Sequence, residues 1–200
     1  MRTTTLARIR AYSLKERRFA SQLSGTDKTE ADNEPLPYAT ILNICGLDDA
    51  IWTTRTEEDY RWVQEMNLFF VRHIQDMIVD KRSLAALDTA ERFLRGDATQ
   101  EEMEKARIAA DNAFNDATDV SRKFAVANGV QWKYGPFFLS ASYAAWAVHD
   151  LTESFCSKDK DFSISRVESS IASAAQAYNV LFNDNTEKEW QTQEFLRAVS

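Results

Sequence analysis

The chain has 200 residues, of which 44% are hydrophobic, 28% are charged and only eight are glycine or proline. This balance excludes intrinsic disorder, collagen-like repeats and disulfide scaffolds, and a chain of this length buries roughly 70% of its unfolded surface. The 24 basic and 31 acidic residues give a formal net charge of -7, so the chain as a whole repels phosphate and favours basic partners. Its two cysteines, Cys45 and Cys156, are too few for a disulfide framework, and we expect small buried thiols of an intracellular protein.

The first predicted element is a basic amphipathic helix over residues 4–23. Leu6 and Ile9 begin an apolar stripe, and residues 1–24 hold six basic side chains against Glu16 alone. Basic residues along one helix can track phosphate, so nucleic acid and anionic membranes are alternative ligands of this helix. A solvated arm is a further alternative, and the apolar stripe favours docking onto the acidic remainder of the chain or onto a second protomer.

Changes in composition along the chain divide it into three predicted segments. Residues 1–24 hold the basic helix, 25–37 are a linker rich in turn-forming residues, and 38–200 form a helical domain. No stretch reaches the ~18 apolar residues of a membrane span. We expect the basic opening segment to be retained rather than cleaved as a transit peptide.

Apolar residues at three- and four-residue spacing predict the helices of the third segment. One helix, which can kink at its weak point Gly46, is predicted over 38–53, and a second runs from a capped start at Thr56-Glu57-Glu58-Asp59 to near Asp80. A third covers 83–94, with Ser83 able to cap its start and Gly96 as its C-cap, and a fourth runs from a Thr99/Glu102 capping box to near Gly129. The last three run from Gly135-Pro136 to about Phe155, over 164–181, and from a second such box at Thr186/Glu189 to Val199. The sequence therefore predicts an all-α bundle of seven or eight helices, with alanine-rich, close-packed helices in the C-terminal half.

Motifs for common catalytic sites are missing from the sequence. It contains no Glu-x-x-His pair, H-E-x-x-H motif, glycine-rich phosphate loop, G-x-S-x-G elbow or C-x-x-C pair. The order of His73, His149-Asp150 and Asp184 echoes the H…HD…D ligands of helical metal phosphohydrolases, but two histidines give such an order easily by chance. We expect structural histidines, no metal, no cofactor and no catalysis.

Two charged surfaces are predicted to bind a partner. The acidic surface belongs to residues 97–119, which a basic toxin or nuclease could recognise, although such a surface usually serves only solubility. The predicted partner-binding residues are the acidic Asp97, Glu101, Glu104, Asp111 and Asp116 and the basic Arg8, Arg10, Arg17 and Arg18.

Two stretches, ICGLDDAIW at 44–52 followed by Arg55 and RSLAALDTAERFLRGDAT at 82–99, together with Trp190-Gln191, carry a family resemblance. With them the chain resembles the immunity-protein family, alanine-rich all-helical proteins of bacterial toxin-immunity loci and tailed phages. The resemblance covers residues 41–193 and implies inhibition by binding, without catalytic residues or cofactors. The chain departs from the family pattern at 112–116 and 129–136.

From the resemblance we expect a non-catalytic inhibitor that neutralises a protein partner, either a toxin or a host defence factor. The alternative is a phage structural or oligomerisation protein without an inhibitory role. We expect a cytoplasmic protein, in the host cytoplasm if a phage encodes it, that can form a homo-oligomer. We expect no membrane partner and do not expect nucleic acid as a partner.

Overall fold

The computed structural model describes residues 2–11, 22–23, 29–56, 60–128, 135–182 and 186–200. These residues form nine α-helices, eight of them seven residues or longer, and one pair of two-residue strands. The prediction of an all-α bundle is confirmed. Two compact units divide the chain, Met1–Tyr60 with Glu189–Ser200 and Arg61–Lys188. The predicted segments 1–24, 25–37 and 38–200 stay a prediction.

Helices dominate the described residues, and only two short strands accompany them. The strands are β1 (Thr3–Thr4) and β2 (Leu36–Pro37); the helices are α1 (Leu6–Arg10), α2 (Tyr38–Cys45), α3 (Leu47–Thr53), α4 (Arg61–His73), α5 (Lys81–Arg95), α6 (Gln100–Asn128), α7 (Gly135–Cys156), α8 (Lys160–Phe182) and α9 (Thr186–Val199). Short 3₁₀ turns occupy Glu30–Asn33, Thr54–Thr56 and Gln75–Met77. Among these helices, none combines the length and the apolar character needed to traverse a membrane.

The first unit combines residues that precede the second unit in the sequence with residues that follow it. Strand β1 pairs antiparallel with β2, and the Arg2 N–H donates a 2.7 Å hydrogen bond to the Val199 carbonyl. Tyr38 and Phe195 are fully buried, with their rings edge to face at 6.5 Å. The Tyr38 hydroxyl donates to the Thr53 carbonyl, so this aromatic ring keeps its polar end satisfied inside the core.

The basic helix predicted over residues 4–23 begins later in the structure, at Leu6. Thr4 lies in β1, since β-branched threonines favour an extended strand, and Thr5 caps a helix whose described part is Leu6–Arg10. Leu6 and Ile9 are buried, as their apolar spacing suggests. Residues 12–21, which include most of the predicted helix, lie outside the described residues.

The prediction of one helix over 38–53, with a kink allowed at Gly46, is wrong, because the segment forms two helices. Gly46 separates α2 from α3 with φ of 88° and ψ of 175°, a conformation that residues with a Cβ rarely adopt. The sequence marks Gly46 as a weak point, and its backbone freedom turns that weakness into a break.

The boundaries of α4 and α5 also differ from the predicted ones. Helix α4 ends at His73, before the Gln75–Met77 turn, rather than near Asp80. Thr56, the predicted start of its cap, lies in the Thr54–Thr56 turn and donates its hydroxyl to the Thr53 carbonyl at 2.8 Å, and the helix begins at Arg61. Residues 57–59 of the predicted cap lie outside the described part. Asp80 caps α5 by accepting a 2.8 Å hydrogen bond from the Arg82 N–H, whereas Ser83, which the sequence suggested as a cap, is fully buried.

The corner between α5 and α6 is confirmed. Gly96 has the left-handed φ of 84° at the end of α5. The Glu102 N–H donates to the Thr99 hydroxyl at 3.2 Å, and the Glu102 carboxylate accepts from the Thr99 N–H at 2.7 Å. The three residues therefore set the angle at which α6 leaves α5.

The alanine-rich helices pack as predicted in the second unit. Buried alanines occur on three helices: Ala106, Ala110 and Ala113 on α6, Ala144 and Ala147 on α7, and Ala174 and Ala177 on α8. Larger side chains such as Leu151 and Met103 complete this core. Small side chains let the helix backbones approach closely.

Serine hydroxyls bridge α7 and α8 at regular intervals. Three of them donate to carbonyls of the other helix: Ser140 to Ala177 at 2.7 Å, Ser170 to Ala147 at 2.7 Å and Ser163 to Ser154 at 2.6 Å. The contact positions advance by seven residues on each helix and run in opposite directions, which is the register of an antiparallel helix pair with a heptad repeat. We call these three bridges the serine ladder.

Candidate functional site

Helices α6 and α7 bring a set of aromatic rings together beside an acidic side chain. Asp111 and Phe114 lie three residues apart on α6, and Tyr143, Trp146 and His149 follow at three-residue steps on α7. A three-residue step keeps successive side chains on one side of a helix. We call these five residues the aromatic face.

The rings of the aromatic face form a continuous series. Tyr143 lies nearly parallel to Trp146, with centroids 6.3 Å apart, and Trp146 lies 5.5 Å from Phe114. Phe114 in turn stacks on the His149 imidazole at 5.4 Å. Trp146 is 38% exposed, whereas the other three rings are half-buried. Its neighbours therefore order an indole that solvent still reaches.

His149 lies between two carboxyl groups of different burial. Its Nδ1 is 3.7 Å from Asp111 Oδ1, and its Nε2 is 3.8 Å from Asp150 Oδ1. Asp150 is fully buried and accepts a 3.0 Å hydrogen bond from Arg166 of α8. Burial raises the pKa of the Asp150 carboxyl group, and the charges of His149 and Arg166 only partly oppose this effect.

Arginine pairs hold the helices beside the aromatic face. Arg107 of α6 bonds Glu104 at 2.7 Å and Glu153 of α7 at 2.7 Å. The Arg166 guanidinium, which bonds Asp150, also lies 4.6 Å from the centre of the Phe162 ring. Because several of these side chains are partly buried, their geometry is fixed better than that of fully exposed ion pairs.

The two cysteines are free thiols and are half-buried rather than fully buried. Burial raises the pKa of Cys156 to about 12, and nearby Glu104 adds to the effect. Burial also raises the pKa of Cys45. A thiol that stays protonated is a poor nucleophile, so neither position has the character of a reactive cysteine.

Four of the five predicted acidic residues are bonded to basic side chains of the same chain. The pairs are Asp97 with Arg95 at 3.3 Å, Glu101 with Lys105 at 2.7 Å, Glu104 with Arg107 at 2.7 Å and Asp116 with Arg82 at 2.7 Å. Asp111 differs, because its contacts are His149 and the Asn115 amide, which donates at 3.3 Å. Within the described residues, no lysine or arginine pairs with the Asp111 carboxylate, whose side chain is 43% exposed.

The predicted basic residues belong to a different part of the chain from the acidic ones. Arg8 and Arg10 lie on α1 of the first unit, and Arg17 and Arg18 lie outside the described residues. Arg10 forms a buried ion pair with Asp32, with Nε and Oδ2 2.9 Å apart. Arg10 is therefore directed toward its own chain rather than toward solvent.

The two histidines have separate surroundings in the structure. His73 Nε2 lies 3.3 Å from a carboxylate oxygen of Glu187, and His149 belongs to the aromatic face. Asp184, the last residue of the H…HD…D order, lies outside the described part of the chain. Among the residues that are described, no three histidine, cysteine or acidic side chains are grouped as metal ligands.

A second surface of the same unit is an apolar groove between the start of α5, α6 and α7. Its cavity volume is about 290 Å³, and Ala117 and Phe138 are among its lining residues. Val79, Val120 and Phe137 at this groove are about half exposed or more.

The sequence did not identify the aromatic face as a site. Tyr143 and Trp146 lie off the apolar stripe of α7, which contains Ala144 and Val148. The signal that the sequence offered was two aromatic residues, three positions apart, on the side of α7 away from its apolar stripe. Their meeting with Phe114 depends on the packing of α6 against α7, which periodicity within one helix does not reveal.

Comparison of this chain with protein-family models, curated proteins and solved structures gave no match in any of the three cases.

Proposed function

We propose that this chain is a non-catalytic cytoplasmic protein that binds and neutralises a protein partner, a toxin or a host defence factor. The observation that supports the proposal best is the aromatic face, where Trp146 is exposed within an ordered series of rings. Tryptophan, tyrosine and arginine are the residues most enriched among those that dominate binding energy at protein interfaces. Trp146, Tyr143 and Arg166 occur within two adjacent helices.

The ring contacts and ion pairs around Trp146 favour binding, because they reduce the number of side chains that a partner must immobilise. Immobilising a side chain at an interface costs about 0.5–1.5 kcal/mol. Phe114 and His149 are already stacked, and Arg107 already bonds two carboxylates. A partner that covers Trp146 therefore meets a surface whose side chains are largely in place.

The test compares Trp146→Ala with Phe182→Ala, which removes another exposed aromatic ring from the same unit. The partner is recovered from cells that produce the protein naturally, purified, and titrated against each variant by calorimetry. We expect Trp146→Ala to weaken binding by about thirtyfold, the cost of losing a dominant interface residue, and Phe182→Ala to leave it within about twofold.

The activity of the purified partner provides the second measurement. We expect the wild-type chain to suppress that activity in proportion to binding. If the partner stays fully active in the complex, inhibition is refuted. A stable homo-oligomer that captures no other protein would instead favour the structural or oligomerisation alternative.

A further inference from the structure

The aromatic face holds an exposed indole ring and a partly exposed carboxylate, which the rings of Phe114 and His149 connect. Asp111 Oδ1 is 3.7 Å from the His149 imidazole, which stacks on Phe114, and Phe114 contacts the Trp146 ring. The electron-rich face of an indole attracts cations more strongly than other aromatic side chains do. A carboxylate beside such a ring adds charge attraction and a hydrogen-bond acceptor.

Asp111 differs in its partners from the three other acidic residues of α6 that the sequence predicted to bind a partner. Glu101, Glu104 and Asp116 are each bonded to an arginine or lysine of the chain. Asp111 contacts an imidazole and an amide instead, and its side chain is 43% exposed. Among the residues that the structure describes, an incoming basic group displaces no lysine or arginine at Asp111, whereas it would have to compete for each of the other three carboxylates.

The chain itself holds a guanidinium in this way next to the aromatic face. Arg166 lies 4.6 Å from the centre of the Phe162 ring and donates to Asp150 at 3.0 Å. Ring and carboxylate together thus bind one planar cation. Asp111 and Trp146 offer the same two kinds of group on the exposed side.

We infer that the aromatic face receives an arginine side chain of the protein partner, with the guanidinium against Trp146 and bonded to Asp111. Arginine fits better than lysine because its planar group stacks on rings and bonds a carboxylate with two donors. The net charge of -7 favours the approach of a basic partner. The inference rests on the proposed function only for the identity of the ligand as a protein.

A peptide titration tests the inference without the natural partner. A hexapeptide of arginine is added to the full chain labelled with ¹⁵N, and the indole N–H signal of Trp146 is followed by NMR. The same peptide with citrulline, which keeps the shape and loses the charge, is the ligand control. We expect a saturable shift of the Trp146 signal with the arginine peptide and none with the citrulline peptide.

Two matched variants separate specific recognition from general attraction to an acidic chain. Asp111→Asn should lower the affinity for the arginine peptide by about fivefold or more, because it removes one charge-assisted contact. Glu101→Gln removes the same charge from the same helix and should leave the affinity within about twofold, because Lys105 already occupies Glu101. Equal losses in the two variants, or an equal shift with citrulline, overturn the inference.

The outcome is distinguishable from that of the proposed function. If Trp146→Ala abolishes partner binding and the peptide fails, the face binds a protein by other contacts and only the arginine assignment falls. If the peptide binds as expected and Trp146→Ala keeps full affinity for the partner, the proposed role of the face falls instead.

Discussion

Ala113 lies inside the helical core of the second unit. It is fully buried on α6, in line with Ala106 and Ala110. We expect Ala113→Leu to lower the free energy of unfolding by about 1–3 kcal/mol, because the added methyl groups force neighbouring helices apart. Urea denaturation followed by circular dichroism measures this change.

The matched control uses the neighbouring position on the same helix. Asn112 is exposed, so Asn112→Leu should change the free energy of unfolding by no more than about 0.5 kcal/mol. An Ala113→Leu protein with an unchanged denaturation midpoint would contradict the close packing of α6.

Asp150 predicts a pH dependence of stability. Burial raises the pKa of its carboxyl group in the folded protein above the unfolded value of about 3.9. The ionised form is therefore the less favourable one in the folded state, and its cost is absent below the unfolded pKa and fully present above the folded pKa. We expect the stability of the wild type relative to Asp150→Asn to fall as the pH rises from about 4. Urea denaturation of both proteins at several pH values gives this difference, and a rise with pH would contradict the raised pKa.

At the scale of the elements, two glycines end helices by different conformations. Gly96 has φ of 84° and ψ of 12°, which other residues tolerate at about 1 kcal/mol, whereas Gly46 has ψ of 175°, a region used almost only by glycine. A Cβ at either position would meet no atom within 4 Å. We therefore expect Gly46→Ala to cost more stability than Gly96→Ala, by thermal denaturation, for backbone reasons alone. Equal costs would contradict the distinction.

The serine ladder allows a test of how α7 and α8 approach. Ser170→Ala removes one hydroxyl bond to Ala147, and we expect a loss of about 1 kcal/mol. Ser170→Leu should cost about 1–3 kcal/mol because a large side chain enters the same space. Ser165 is exposed on α8, so Ser165→Leu is the control in urea denaturation. If both leucine variants are equally stable, the helices are not held close at this position.

Sequence patterns predicted those elements whose signals are local. The Gly96 C-cap and the Thr99/Glu102 box were predicted because each depends on residues within one turn. The break at Gly46 was missed because glycine inside a helix costs only about 1 kcal/mol, so periodicity alone favours continuation. Asp80 was missed as a cap because Ser83 lies three residues later and is also a good capping residue.

The aromatic face could not be predicted by the same means. Trp146 and Phe114 belong to different helices, and their contact depends on the rotation of α7 against α6. The acidic character of Asp111 is visible in the sequence, but the pairs that neutralise Glu101, Glu104 and Asp116 form only in the folded chain. Tertiary contacts decide which of several similar carboxylates a partner can use.

At the scale of the whole molecule, the deletion of residues 1–24 tests the role of the basic segment. This deletion removes β1, the buried Ile9 and the Arg10–Asp32 pair. We expect a lower melting temperature and an altered oligomeric state, because apolar surface of the first unit becomes exposed. Light scattering and calorimetry measure both.

The competing hypothesis makes the segment a phosphate-binding arm. Under this hypothesis, the truncated protein keeps the oligomeric state and the melting temperature of the full chain. It loses only a salt-sensitive affinity for nucleic acid, which a gel-shift titration measures. Under the same hypothesis, the double variant Arg17→Gln and Arg18→Gln weakens that affinity while keeping the rest of the segment.

The hydrogen bond between Arg2 and Val199 has a consequence for the order of events during synthesis. The first unit contains residues from before and after Arg61–Lys188 in the sequence. Met1–Tyr60 therefore cannot complete this unit until Glu189–Ser200 has been synthesised. At roughly 5–20 residues per second, the intervening segment takes on the order of 10 s to be translated. During that interval Tyr38 lacks the Phe195 ring that packs against it in the folded unit. The newly made chain therefore passes through a period in which chaperones and proteases can recognise a surface that the finished protein hides.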